Sequence, residues 1–181
     1  MISLFILLVL AWSFYGGYSR GLLVQSYYLV ASVFALVLAT GSHRSLAALL
    51  YLWVPFANAT QDGMTYYFDA AHLFQLDKVF YAGLAFLLIY LLVYGIMWFF
   101  GIFMHLLQGY SPDTRGANLI SGGLAVLVSL LSLHIVLMVL STIPLSLVQE
   151  RLHSSWLADG LLRYMPFLTS FLKQLWLQAI G

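Results

Sequence analysis

The chain has 181 residues, of which 63% are hydrophobic and only 7% charged, and its formal net charge is +1. Soluble chains carry roughly 25% charged residues, whereas here residues 1–19, 21–43, 79–112 and 116–149 hold no Asp, Glu, Lys or Arg. The absence of cysteine excludes a disulfide scaffold, the near-neutral charge a nucleic-acid-binding face, and the apolar content a disordered chain, which leaves an integral membrane protein.

In chain order, the first apolar run covers residues 2–15 and leads into Tyr15-Gly16-Gly17-Tyr18-Ser19-Arg20. A secretory signal would show a basic start and small residues at a cleavage site. With neither, the segment reads as a retained span over about 2–18. A second span over 22–39 follows at once, so the two form a tight antiparallel hairpin turned by Gly17 and Gly21. Arg20 stands in that turn. It anchors the hairpin by snorkelling to lipid phosphates, or holds a partner's carboxylate or a lipid headgroup.

Leu46–Ala57 is too short an apolar run for a span and contains Pro55, so it reads as interfacial or re-entrant. Residues 58–78 mix Asp62, Asp69, His72, Asp77 and Lys78 with Tyr66, Tyr67, Phe68 and Phe74, as suits an element at the headgroups. The third and fourth spans are read over 79–107 and 119–147, joined by a polar turn at 108–115. The remainder, 148–180, reads as interfacial. In it Leu168, Phe171, Leu172, Leu175, Trp176 and Ala179 share one helical face, with Thr169, Ser170, Lys173 and Gln174 on the other. That amphipathic helix lies on the membrane or docks on a partner helix. The expected fold is therefore an all-α integral membrane protein in a single membrane domain. It has four transmembrane helices, an interfacial middle segment and a C-terminal amphipathic helix.

Helices in lipid associate through close contact of small residues. The second span offers Ala31, Ala35 and Ala39 beside Ser32, and the third offers Gly83, Gly95 and Gly101 at irregular spacing. In the fourth, Ser121, Ala125, Ser129 and Ser132 share one face, with Gly122 adjoining. These stripes read as packing seams before a transport path, and the same face can serve a homo-oligomer.

Catalytic motifs are absent. There is no thiolate, Walker A loop, dinucleotide fingerprint, HExxH or Gly-x-Ser-x-Gly, so the chain reads as a non-enzyme without a cofactor or metal. Asp69 and His72, three apart, form a carboxylate–imidazole pair that lacks a further ligand. His105 falls near the end of the third span. His134 lies in the middle of a charge-free run, where an ionisable group is a functional candidate. The alternative is a neutral imidazole hydrogen-bonded to a neighbouring helix. No carboxylate lies in the four runs to relay a proton, which argues against proton-coupled transport. The candidate interaction and packing residues are Gly17, Arg20, Gly21, Ser121, Gly122, Ala125, Ser129, Ser132 and His134. Arg44, Lys78, Arg151, Arg163 and Lys173 fall on one side of the four spans, and Arg20 and Arg115 on the other. The positive-inside rule then puts both termini in the cytoplasm.

The turn Gly17-Tyr18-Ser19-Arg20-Gly21 is similar to a Gly-x-x-Arg-Gly turn, and it is followed by a second span, a polar middle and a third span. A fourth span opens with Asn118-Leu119-Ile120-Ser121-Gly122-Gly123, and in the tail Ser154-Ser155 precede a helix ending at Pro166. In this order the chain resembles the colicin V production protein (CvpA) family over nearly its whole length. The resemblance implies a four-helix bacterial inner-membrane protein associated with production or export of a bacteriocin toxin and with envelope physiology. It implies no catalytic residues. Its expected partners are the bilayer, other membrane proteins or a second copy of itself. The competing reading is a small oligomeric channel or transporter, with Ser121, Ser129, Ser132 and His134 along a polar route.

Overall fold

A computed structural model describes residues 1–54, 65–68, 76–106 and 112–179. Its helices are α1 (Ile2–Arg20), α2 (Leu22–Trp53), α3 (Leu76–Met104), α4 (Arg115–Ser141), α5 (Ser146–His153), α6 (Trp156–Tyr164) and α7 (Pro166–Leu177). The first four are long and apolar enough to cross a membrane, with mean hydropathies of 1.6, 2.0, 2.3 and 2.6 over an 18-residue stretch of each. At about 1.5 Å per residue, even the 12-residue α7 falls well short of a hydrocarbon core about 30 Å thick. Four apolar helices followed by short C-terminal ones is the architecture the charge-free runs led us to expect.

The helix ends depart from the sequence reading, each for a local reason. Gly17 to Arg20 are helical, so the turn between α1 and α2 contracts to Gly21 alone, whose φ of 83° lies in the left-handed region. α2 does not stop at Ala39. Gly41 is the only glycine before its end, and His43 returns Nδ1 to the Ala39 carbonyl at 3.1 Å while its ring stays buried. The helix gives way at Val54, which precedes Pro55 and is therefore disfavoured in the α conformation. Residues 46–53, read as the start of an interfacial or re-entrant segment, thus belong to α2. The rest of that segment, 55–57, lies outside the described residues.

α4 begins earlier than expected, because Thr114 Oγ1 accepts the Ala117 N–H at 3.2 Å as a cap. It also ends earlier, at Ser141 rather than Leu147. Pro144 cannot continue a helix, and the Ser141 and Thr142 hydroxyls donate back to the Met138 and Val139 carbonyls, each at 2.7 Å. Ser155 Oγ caps α6 by accepting the Ala158 N–H at 3.4 Å. Pro166 opens α7 at a position where its missing N–H costs nothing.

The contacts gather into two compact units. A hairpin unit comprises Leu4–Leu38 and Ile89–Leu133. Its core includes Ile6, Val24, Tyr28, Ala31, Ala35, Tyr90 and Val128. Tyr28 occupies the space a side chain at Gly101 would need, since a Cβ there would fall 2.6 Å from the ring. A tail unit comprises Met1–Ser3, Ala39–Leu88 and His134–Gly181. There Trp176 is fully buried over Gly83 and meets Phe86 edge to face at 6.1 Å.

Trp176 and Leu172 seat α7 within the tail unit, so the amphipathic helix docks on its own fold. Its buried side agrees with the expected one at Leu172 and Trp176 and departs from it at two positions. Thr169, assigned to the polar face, is buried, while Phe171 is exposed and Phe167 is 87% exposed. Large apolar side chains such as Leu8, Val30, Leu92 and Leu127 also stay exposed on α1 to α4, where acyl chains solvate them without loss.

The turn at Gly21 supplies a test. Gly21→Ala puts a Cβ into the left-handed region and should cost about 1–2 kcal/mol of stability, measured by thermal unfolding in detergent. Gly41→Ala, a helical site with open space around it, should leave stability unchanged or raise it slightly.

Candidate functional site

In the hairpin unit the small residues of α4 meet α1. A Cβ on Gly17 would lie 2.4 Å from the Ala125 Cβ, 2.8 Å from the Ser121 carbonyl oxygen and 3.2 Å from the Gly122 Cα. Ser121 Oγ donates to the Gly17 carbonyl at 2.5 Å. Phe14 covers Gly122, and Ser129 Oγ donates to Ser13 Oγ at 2.6 Å. Ser132 lies 2.8 Å from the Tyr90 hydroxyl, which is also 3.2 Å from Ser32. Gly17, Ser121, Gly122, Ala125, Ser129 and Ser132 are therefore brought together with α1, α2 and α3 as a hydrogen-bonded seam. Arg20 rests over the Tyr28 ring at 5.4 Å, beside Ser13, Gln25, Tyr94 and Ser129. Gly21 supplies the turn.

His134 belongs to the tail unit and is fully buried. Thr169 Oγ1 donates to the Leu162 carbonyl at 3.0 Å, so its oxygen is left to accept from His134 Nε2 at 3.3 Å. The ring thus bridges α4 and α7 through a hydrogen bond. His105 is exposed just beyond α3, and the Asp69–His72 pair lies outside the described residues.

Two further polar centres in the tail unit were not singled out from the sequence. Gln149, fully buried, donates its amide to the Ser141 and Ile143 carbonyls, each at 2.9 Å, and accepts the Tyr66 N–H at 3.2 Å. It satisfies the carbonyls left open where α4 breaks. Asp159 Oδ1 receives the Tyr67 hydroxyl at 2.9 Å, Arg163 Nε at 2.9 Å and His153 Nδ1 at 3.0 Å. Partial burial pushes the Asp159 carboxyl up. The bonds from His153, Tyr67 and Arg163, with the Arg163 charge, outweigh that and leave it below its ordinary value. Burial, then the bond to Asp159 and its charge, push the Tyr67 hydroxyl well above the ordinary tyrosine range. Lys173 Nζ donates to the Tyr67 carbonyl and lies 5.0 Å from the Phe68 ring. Tyr67, Arg163, Thr169 and Lys173 border a cleft of about 480 Å³. A lone amide just after Pro144 was the one available signal for Gln149, and the Asp159–Arg163 spacing of four the one for the other centre.

Four apolar spanning helices with buried hydroxyl seams define a small multi-pass membrane protein. Residues 2–166 match the family described as Colicin V production protein, and the chain belongs to that family. It is 22% identical over 180 residues to the uncharacterized transmembrane protein YshB of Bacillus subtilis (strain 168), covering 98% of each chain. No solved structure matches.

The seam predicts that Gly17→Ala, by forcing α1 off α4, lowers stability in detergent by about 1–3 kcal/mol. Gly123→Ala, in open space, should not. Asp159 carries a pH signature. Its pKa is lower folded than unfolded, so its contribution is complete above the ordinary value of 3.8 and is lost as the pH falls through the folded value. Asp159→Asn should reduce stability at pH 7 and flatten the loss below about pH 4. An acid limb identical to that of the parent chain would refute this role.

Proposed function

We propose that this chain is a non-enzymatic inner-membrane protein that supports bacteriocin toxin production or secretion, or envelope homeostasis, through contacts with other membrane proteins or a second copy of itself. Family membership supports the setting. The observation that carries the reading is how the polar groups inside the spans are used. Ser121, Ser129, Ser132 and His134, the side chains of the competing polar route, are each engaged in bonds between helices. Groups held in this way fix helices rather than pass a solute along. The short C-terminal helices offer a different surface, with Tyr164, Phe167 and Phe171 exposed on α6, which carries Asp159, and on α7, which follows it. By the positive-inside rule that surface faces the cytoplasm.

Single cysteines at the exposed Ser19 and Ser170 test both parts, because the native chain has none. An impermeant thiol reagent on intact cells should label position 19 and not 170. A crosslinker attached at 170 in native membranes should capture a second copy or another membrane protein in discrete, reproducible products. Solute flux in reconstituted liposomes that His134→Ala abolishes would instead establish the channel or transporter.

A further inference from the structure

Arg20 ends α1, yet its side chain does not reach outward from there. Its Nη2 lies 3.6 Å from the point a Cβ on Gly16 would occupy. That is one helical turn back toward the middle of the span. A snorkelling arginine would turn the other way. The guanidinium borders a cleft of about 90 Å³ shared with Ser13, Gln25, Tyr94 and Ser129. Such a space admits a tetrahedral oxyanion or a few waters, not a sugar or a nucleotide.

The charge in this cleft is uncompensated. Neither ion pair among the described residues involves Arg20. Within the hairpin unit the sole carboxylate is Asp113, which accepts the Asn118 amide. A guanidinium carries five N–H donors, and those of Arg20 meet no acceptor among the described residues; its one contact of note is the Tyr28 ring. Three neighbours also have capacity to spare. Gln25 is 2% exposed, and its Oε1 is buried without a partner. Ser13 Oγ accepts from Ser129, which leaves its own proton to give. Tyr94 lines the cleft beside them with its ring stacked on Tyr90.

We propose that this cleft binds a phosphate group. The planar fork of Arg20 takes two phosphate oxygens side by side, the pairing for which arginine is suited. The Ser13 and Tyr94 hydroxyls donate to the oxygens that remain. Gln25 Oε1 accepts from a hydroxyl borne by the same group, either a P–OH or the alcohol of a phosphodiester headgroup. The end of a membrane span lies near the level of lipid headgroups, so an anionic phospholipid and free phosphate are both sources of this chemistry.

The full-length protein in a neutral detergent tests the site by thermal unfolding. It is titrated separately with phosphatidylglycerol, with diacylglycerol of the same acyl chains, and with inorganic phosphate. Phosphatidylglycerol should raise the unfolding midpoint saturably and diacylglycerol should not. Stabilisation by inorganic phosphate that competes with the lipid identifies free phosphate as a ligand, and stabilisation by the lipid alone identifies the headgroup. Arg20→Gln should weaken the apparent affinity at least tenfold, and Ser13→Ala, which keeps the charge, severalfold. Arg115→Gln, a cation of the same unit outside the cleft, should leave it unchanged. The proposal falls if the parent chain shows no saturable phosphate-dependent stabilisation, or if Arg20→Gln binds as tightly as the parent.

Discussion

The hairpin unit rests on the missing side chain at Gly17. In lipid there is no hydrophobic force to press one apolar helix on another, so helices hold where their backbones come close and their polar atoms pair. At Gly17 both conditions are met together. The bare Cα lets α1 approach Ser121, Gly122 and Ala125, and the same approach brings the Ser121 hydroxyl onto the Gly17 carbonyl. One turn back along α1, the register so set puts Phe14 over Gly122 and Ser13 beside Ser129. A single contact distance thereby determines which hydroxyls find partners.

The tail unit solves a different problem. α4 breaks at Pro144, which exposes carbonyls that a continuous helix would have satisfied. Gln149 is the answer: one buried amide takes the Ser141 and Ile143 carbonyls and, by its oxygen, the Tyr66 N–H. His134 and Thr169 tie α4 to α7 nearby, and Trp176 fills the room left by Gly83. Three helices too short to cross the bilayer are thus held through polar bonds as much as through apolar burial.

What the sequence made legible follows from this division. Charge-free runs announce spans because lipid tolerates few charges, and so the four long helices were readable. The α4 stripe was readable too, since spacings of four and three report one helical face. Periodicity says nothing about which helix that face meets, so the roles of Ser13 and Phe14 on α1 were hidden. The extension of α2 past Ala39 was missed because an apolar stretch interrupted by Gly41, His43 and Arg44 looks like a boundary. In the folded chain His43 is buried and bonded to its own helix. Tyr67 and Asp159 stand 92 positions apart, and no local pattern links residues at that distance.

The buried polar atoms of this chain fall into two kinds, and the distinction bears on function. Among the described residues many are consumed by the fold: the Ser121 and Ser141 hydroxyls, the Gln149 amide and the Thr169 hydroxyl all have partners. Removing such a group costs stability, on the order of 0.6 kcal/mol for a typical hydrogen bond between spans, and a loss of function that followed would report on folding. A few remain unspent, among them Gln25 Oε1 beside the Arg20 guanidinium. A group whose desolvation is not repaid by the fold is expensive to keep. Substitution there should change what the protein binds more than how stably it folds, and that separation is the practical route from this architecture to its biological role.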